Sequence, residues 1–225
     1  MAKERESPRL FKGDVPLITS VTREDESSPW AVIKAAGLRL GSVPFAQAAA
    51  LGVVPGAAWT GDLLRSVARA TLVLRAKLKA VKLLGIRARS AAELRERLVR
   101  LFEAPVVDEA IEELKREKLL DDAGLAAQLV EKDTALGRSS LLIERRLSSR
   151  GLERGTNQPP QGELERAIAA ARNRAARLPE SLGAAARYQR LLAALARLGY
   201  DEETAREAAA TVLGPVPEHG DPDLG

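Results

Sequence analysis

The pattern of apolar positions changes character near Gly61. Before it, apolar residues come in short runs. Val15 to Val21 reads VPLITSV, Trp30 to Lys34 reads WAVIK, and Leu38-Arg39-Leu40 stands before Gly41. Short β-branched runs bounded by Gly, Pro and Ser predict strands, here a small antiparallel meander. Phe45 to Leu51 predicts one or two helical turns stopped by Gly52, and Pro55-Gly56 predicts a turn. Beyond Gly61 the period becomes helical. A long helix is predicted from Gly61-Asp62 to Gly85, with Leu64, Val67, Thr71, Leu74, Leu78 and Val81 as its buried stripe.

Ile86 to Asp122 then reads IRARSAAELRERLVRLFEAPVVDEAIEELKREKLLDD. Ser90 stands three residues before Glu93, the spacing of a capping box. Ala91, Leu94, Leu98 and Leu101 follow at helical spacing as one apolar face. Pro105 suits the start of a second helix, lined by Val107, Ala110, Ile111 and Leu114. Leu119-Leu120 runs into Asp121-Asp122, residues that stop one helix and cap the next. Leu125, Ala126, Leu129 and Val130 form the inward face of that next helix, and Gly137 stops it.

The pattern then recurs. Arg138, Ser139, Ile143, Arg146 and Leu147 repeat Arg89, Ser90, Leu94, Arg97 and Leu98 at an offset of 49 residues. Ala186, Arg187, Leu191 and Leu195 form a weaker third copy, and the stop Arg150-Gly151 is echoed by Leu198-Gly199. A fixed period with several helices per unit marks a helical repeat protein. Glu153 to Gly162, ERGTNQPPQG, interrupts it as an exposed loop. Helices follow over 163–178 and 182–198, and Asp201 caps a last one that ends at Gly214-Pro215.

The Arg89–Asp122 stretch resembles the signature of the RecX regulatory proteins. That signature is an R-S-x-x-E-L-x-x-R-L helix, a helix with a leucine-rich end, then L-[IL]-[DN]-D. Arg89, Ser90, Glu93, Leu94, Arg97, Leu98, Leu119, Leu120, Asp121 and Asp122 stand where the pattern wants them. Ile18-Thr19-Ser20-Val21 and Leu51-Gly52-Val53-Val54-Pro55-Gly56 also fit the layout of the β extension that some RecX-like proteins carry. The strands between them fit it poorly in detail.

The resemblance implies a mainly α fold: tandem three-helix repeats in an elongated curved array, preceded by a small β-containing N-terminal extension. The expected division is a disordered N-terminus over 1–13, the extension over 14–60 and repeat 1 over 61–120. Repeat 2, with its loop insertion, takes 121–162, repeat 3 takes 163–214, and a disordered tail covers 215–225. Glu153 to Gly162 departs from the family pattern, so repeat 2 is expected to lack a regular third helix or to fuse it to the next.

Composition narrows the chemistry. Aromatic residues make up 3% of the chain, which favours helix over sheet, and there is no cysteine for a disulfide or a thiolate metal site. No run of about eighteen apolar residues predicts a membrane helix. The N-terminus has no signal-peptide core. A cytoplasmic protein is the expectation. His219, the one histidine, has no partner at catalytic or metal-binding spacing. Helix capping accounts for Asp121-Asp122, and no phosphate-binding glycine motif occurs. No enzyme, cofactor or metal is expected.

Basic side chains remain. The net charge is +4. The candidate binding residues are Lys77, Lys82, Arg87, Arg89, Arg97, Arg100, Arg138, Arg145, Arg146 and Arg150. They lie at equivalent places in two repeats, so they predict a basic stripe suited to phosphates or to an acidic protein groove. Solvated helix surface accounts for any pair of them taken alone. The RecX resemblance implies a non-enzymatic, monomeric partner of the RecA recombinase filament, with single- or double-stranded DNA as a further partner. It would bind in the filament groove, hinder filament growth, ATP hydrolysis and strand exchange, and so restrain recombination, DNA repair and the SOS response. The rival readings are a helical module that binds DNA directly and a structural adaptor that needs neither partner.

Overall fold

A computed structural model describes residues 11–12, 14–153 and 162–215. Among these the chain forms eight α-helices after a set of short strands. By its contacts it divides into two compact units, one of Met1–Arg87 with Leu94–Leu120, the other of Ala88–Glu93 with Asp121–Gly225.

The first unit opens with β1 (Phe11–Lys12) paired antiparallel to β2 (Val15–Pro16). The meander follows as β3 (Ile18–Arg23), β4 (Trp30–Ala35) and β5 (Leu38–Pro44), in that order and antiparallel. β5 runs past Gly41 to Pro44, because a register shift near Ile33 and Lys34 absorbs the irregularity there. Alternation puts Ala31, Ile33 and Ala35 of β4 inside. Ile18, Ala31, Ile33, Val43, Val53 and Val67 make one core, with Trp59 packed against it.

Helix α1 (Gly61–Leu84) starts at Thr60, whose hydroxyl accepts from the Leu63 amide. Its buried residues are Val67, Ala70, Val73, Ala76 and Ala80. This corrects the predicted stripe, for Leu64, Leu78 and Val81 are exposed and only Val67 is retained among the buried residues. The small side chains win because α3 packs closely against α1: Val73 and Ala76 share a core with Val106 and Ala110.

Helix α2 (Ala91–Leu98) begins in the second unit and ends in the first, and α3 (Ala104–Arg116) carries Pro105 in its first turn as predicted. Val107, Ala110, Ile111 and Leu114 are all buried. Leu101 is not: it is 63% exposed, because the chain leaves the helix at Leu98 and turns.

The second unit holds α4 (Asp122–Ala135), α5 (Ser140–Ser148), α6 (Glu163–Ala175), α7 (Ala184–Arg197) and α8 (Glu202–Leu213). Ala126, Leu129, Ile143, Leu147 and Leu152 form one core there, with Leu125 and Val130 against it. Ala167, Ala171, Leu191, Leu195 and Ala208 belong to another. The loop predicted over 153–162, the tail after Pro215 and His219 lie, apart from the loop's two end residues, outside the described residues.

Leu98 and Leu101 separate the two readings of the second helix. Leu98→Ala is expected to cost about 2–5 kcal/mol as a buried truncation, whereas Leu101→Ala stays within about 0.5 kcal/mol as a surface change. Urea unfolding of both variants checks this, and equal losses would restore the longer apolar face.

Candidate functional site

The capping box forms as its residues predict. The Glu93 amide donates to Ser90 Oγ at 3.1 Å, and the Ser90 amide donates to Glu93 Oε2 at 2.9 Å. Ser90 then does more than cap, since its hydroxyl donates to the carbonyl of Arg150. The Arg150 guanidinium donates back to Glu93 Oε2 at 2.9 Å and to the Ala88 carbonyl at 3.1 Å. Asp122 completes the joint by accepting from the Ala91 amide, at 3.0 Å through Oδ1. One helix start thus has two orphan amides satisfied by its own capping box and a third by Asp122, while the Arg150 segment is tied to the box through the Ser90 hydroxyl and the Glu93 carboxylate.

The joint is built twice. The Leu142 amide donates to Ser139 Oγ at 3.1 Å, and Ser139 Oγ donates to the Gly199 carbonyl at 2.7 Å. Glu163 takes the part of Asp122, accepting from the Ser140 amide at 2.9 Å. Tyr200, the residue after Gly199, takes the part of the Arg150 side chain, its hydroxyl donating to the Gly137 carbonyl at 3.0 Å. Ser139 replaces Ser90, Leu142 replaces Glu93 and Gly199 replaces Arg150, each by the same 49-residue step. Ser90 and Ser139 are 0% and 1% exposed.

Glycine is needed where these segments meet. Gly151 has φ of +63°, and a Cβ there would stand 2.4 Å from the Ala92 Cβ. Gly199 has φ of +90°, and a Cβ would come within 2.6 Å of Ser139 Oγ. Both follow a helix end, as the sequence predicts. The sequence sign of their second role is the recurrence of Gly twelve residues after Ser139 and again after Arg187.

The ten basic residues separate into distinct environments. Lys77 lies between Glu113, at 3.2 Å, and Glu117. Burial works against its charge, but hydrogen bonds and the charges of the two glutamates outweigh that and hold its ammonium above the ordinary lysine value. Arg138 and Arg146 both reach Asp133, a carboxylate 1% exposed, with Arg146 Nε at 3.1 Å. Arg150 belongs to the first joint, and Arg89 beside it is 7% exposed. Arg100 pairs with Glu96 one turn away at 2.9 Å on the surface. Lys82, Arg87, Arg97 and Arg145 are exposed. The structure gathers Arg138 with Arg146 around one acid, and places Lys82 with Arg75 and Lys79, two bases outside the candidate set, beside one groove.

No group of three or more His, Cys, Asp or Glu residues fit to hold a metal occurs among the described residues. No helix among them is long and apolar enough to cross a membrane.

Ser139→Ala is expected to cost about 1–3 kcal/mol, because it removes an N-cap and strands a buried carbonyl. Ser148→Ala, at an exposed position of the same helix, serves as the control in the same denaturant titration, and equal losses would contradict the clamp. Tyr200 gives a pH test. Burial pushes its phenol up to about 12, eased by Arg166 and reinforced by Glu163. A raised folded value adds stability that is complete below pH 10 and fades as pH rises from 10 to 12. The free energy of unfolding measured across that window is expected to fall more steeply for the wild-type chain than for Tyr200→Phe.

Residues 76–114, spanning the last nine residues of α1, all of α2 and most of α3, match the model of the RecX first three-helix domain. A crystal structure of regulatory protein RecX has a similar fold, with a TM-score of 0.65 and 17% sequence identity over 84% of this chain and 96% of that one. No curated protein matches the sequence. The mostly helical fold with its small N-terminal antiparallel sheet is RecX-like, and residues 76–114 carry the likeness to the first three-helix domain of that family.

Proposed function

We propose that this chain regulates a RecA-type recombinase, binding in the helical groove of the RecA–DNA filament and inhibiting its growth, ATP hydrolysis and strand exchange. The observation that carries the reading is the matched three-helix domain at 76–114. The duplicated Ser joint supports it, since a second copy of the same helix start points to a repeated unit suited to a repeating partner. Such a protein restrains recombination, DNA repair and the SOS response from the compartment that holds the DNA. The second reading, direct binding to DNA, is favoured by the exposed bases Arg75, Lys79 and Lys82 on α1.

Titrating the protein into RecA hydrolysing ATP on single-stranded DNA tests the proposal. Inhibition at protein concentrations well below those of RecA is the expected result. Unchanged hydrolysis and strand exchange with preformed filaments would sink it. Inhibition only where the protein coats naked DNA would transfer the role to direct DNA binding. Arg145→Glu is the informative charge reversal, because Arg145 is exposed and in no ion pair among the described residues, whereas Arg146 holds Asp133. It is expected to raise the half-inhibiting concentration about tenfold, by opposing an acidic surface.

A further inference from the structure

The two tryptophans occupy different settings. Trp59 packs against the core of the sheet. Trp30, at the start of β4, lines a groove of about 570 Å³ together with Phe102 and the bases Arg75, Lys79 and Lys82. Trp30 and Phe102 are far apart in sequence, so only folding brings these two of a scarce residue class together. Thr71 and Ser42 line the same groove and fix its two walls, the Thr71 hydroxyl donating to the Ser42 carbonyl at 3.3 Å.

The charge lining the groove is mostly basic, and its one acid, Glu24, is paired with Arg39. Thr71, Arg75, Leu78 and Lys82 recur at helical spacing as one stripe of α1, with Lys79 beside it. From Arg75 to Lys82 the stripe rises about 10 Å at the helical rise. Arg39 at the groove is held by Glu24 at 3.1 Å and by Ser42 Oγ at 2.9 Å. Arg75, Lys79 and Lys82 are exposed, and none of them is in an ion pair among the described residues.

Cations in a row beside aromatic faces suit a polymer that carries both phosphates and flat bases. An acidic peptide would answer the cations and leave the indole and the phenyl ring without a matching face. A duplex keeps its bases stacked inside, where a wall-bound Trp30 has no access to them.

We propose that this groove binds single-stranded nucleic acid without regard to sequence, with phosphates along Arg75, Lys79 and Lys82 and a base stacked on Trp30. The proposal rests on the reading of the chain as a protein that acts at a recombinase–DNA filament, and it gives the N-terminal sheet a part in that action. Its test needs no recombinase. The full chain is titrated with a short oligothymidylate while tryptophan emission is followed. Quenching is expected, and Trp30→Phe should keep binding, followed by anisotropy of labelled oligonucleotide, while losing most of the quench. The double variant Lys79→Glu with Lys82→Glu should bind at least about tenfold more weakly and flatten the salt dependence by about 1.4 in log–log slope, as two lost phosphate contacts require. Both lysines are exposed, so the variant is expected to fold, and an unchanged thermal melt confirms it.

Wild-type affinity in that double variant, or full quenching in Trp30→Phe, overturns the assignment. An oligoglutamate that quenches Trp30 and displaces the oligonucleotide overturns it too, in favour of an acidic protein segment. Failure here leaves recombinase inhibition standing, and failure of that inhibition leaves this binding measurement intact.

Discussion

Two serine hydroxyls carry the register of the helical part of this chain. Ser90 and Ser139 each accept from the first turn of their own helix and donate to a carbonyl 60 residues downstream. Both are buried, so neither hydroxyl has water as an alternative partner. A shift of one residue in either approaching segment would remove the carbonyl and drive the Gly151 or Gly199 backbone against a side chain. Non-directional burial of Leu and Ala could be satisfied by several neighbouring registers. The hydroxyl bonds and the glycine contacts are directional, so they select one.

The same logic explains where the arginines go. In a helical chain rich in small apolar residues, polar groups that become buried must find partners inside. Asp133 is buried and has the charges of Arg138 and Arg146 against it. Removing either base would leave a buried carboxylate undercompensated, which costs more than a surface pair could return. Glu93 and Arg150 form a similar pair inside the first joint. A count of basic residues along the sequence therefore overstates the charge available to a partner. What remains outward is smaller and more local, and on α1 it falls on one stripe.

Local signals were legible where one residue type has one physical use. Ser90 with Glu93, Pro105 in the first turn of α3, Asp121 capping α4 and Gly137 at φ of +72° all act as their spacing implies. The antiparallel meander was legible from its short β-branched runs. The buried face of α1 was not. Its sequence offers two stripes, one of large residues through Leu64 and Leu78 and one of small residues through Ala70, Ala76 and Ala80. Hydrophobicity favours the first and close helix packing takes the second, and no local rule ranks them. The clamp from Ser90 to Arg150 was hidden for another reason, since a serine's second hydrogen bond leaves no trace in its own neighbourhood.

The choice of small residues on α1 has a structural consequence. Near its start Val67 closes the core under the sheet, and further along Val73 and Ala76 close the core shared with α3. One helix of 24 residues thus serves two cores without a break. Because its small side chains point inward on both, the larger and charged ones are left on the stripe that runs past Ser42 and Trp30. Arg75, Lys79 and Lys82 are therefore mounted on a rigid element whose rotation is fixed by packing on two sides. That rigidity turns three ordinary surface bases into an ordered row, and it follows from alanines buried on the opposite face of the same helix.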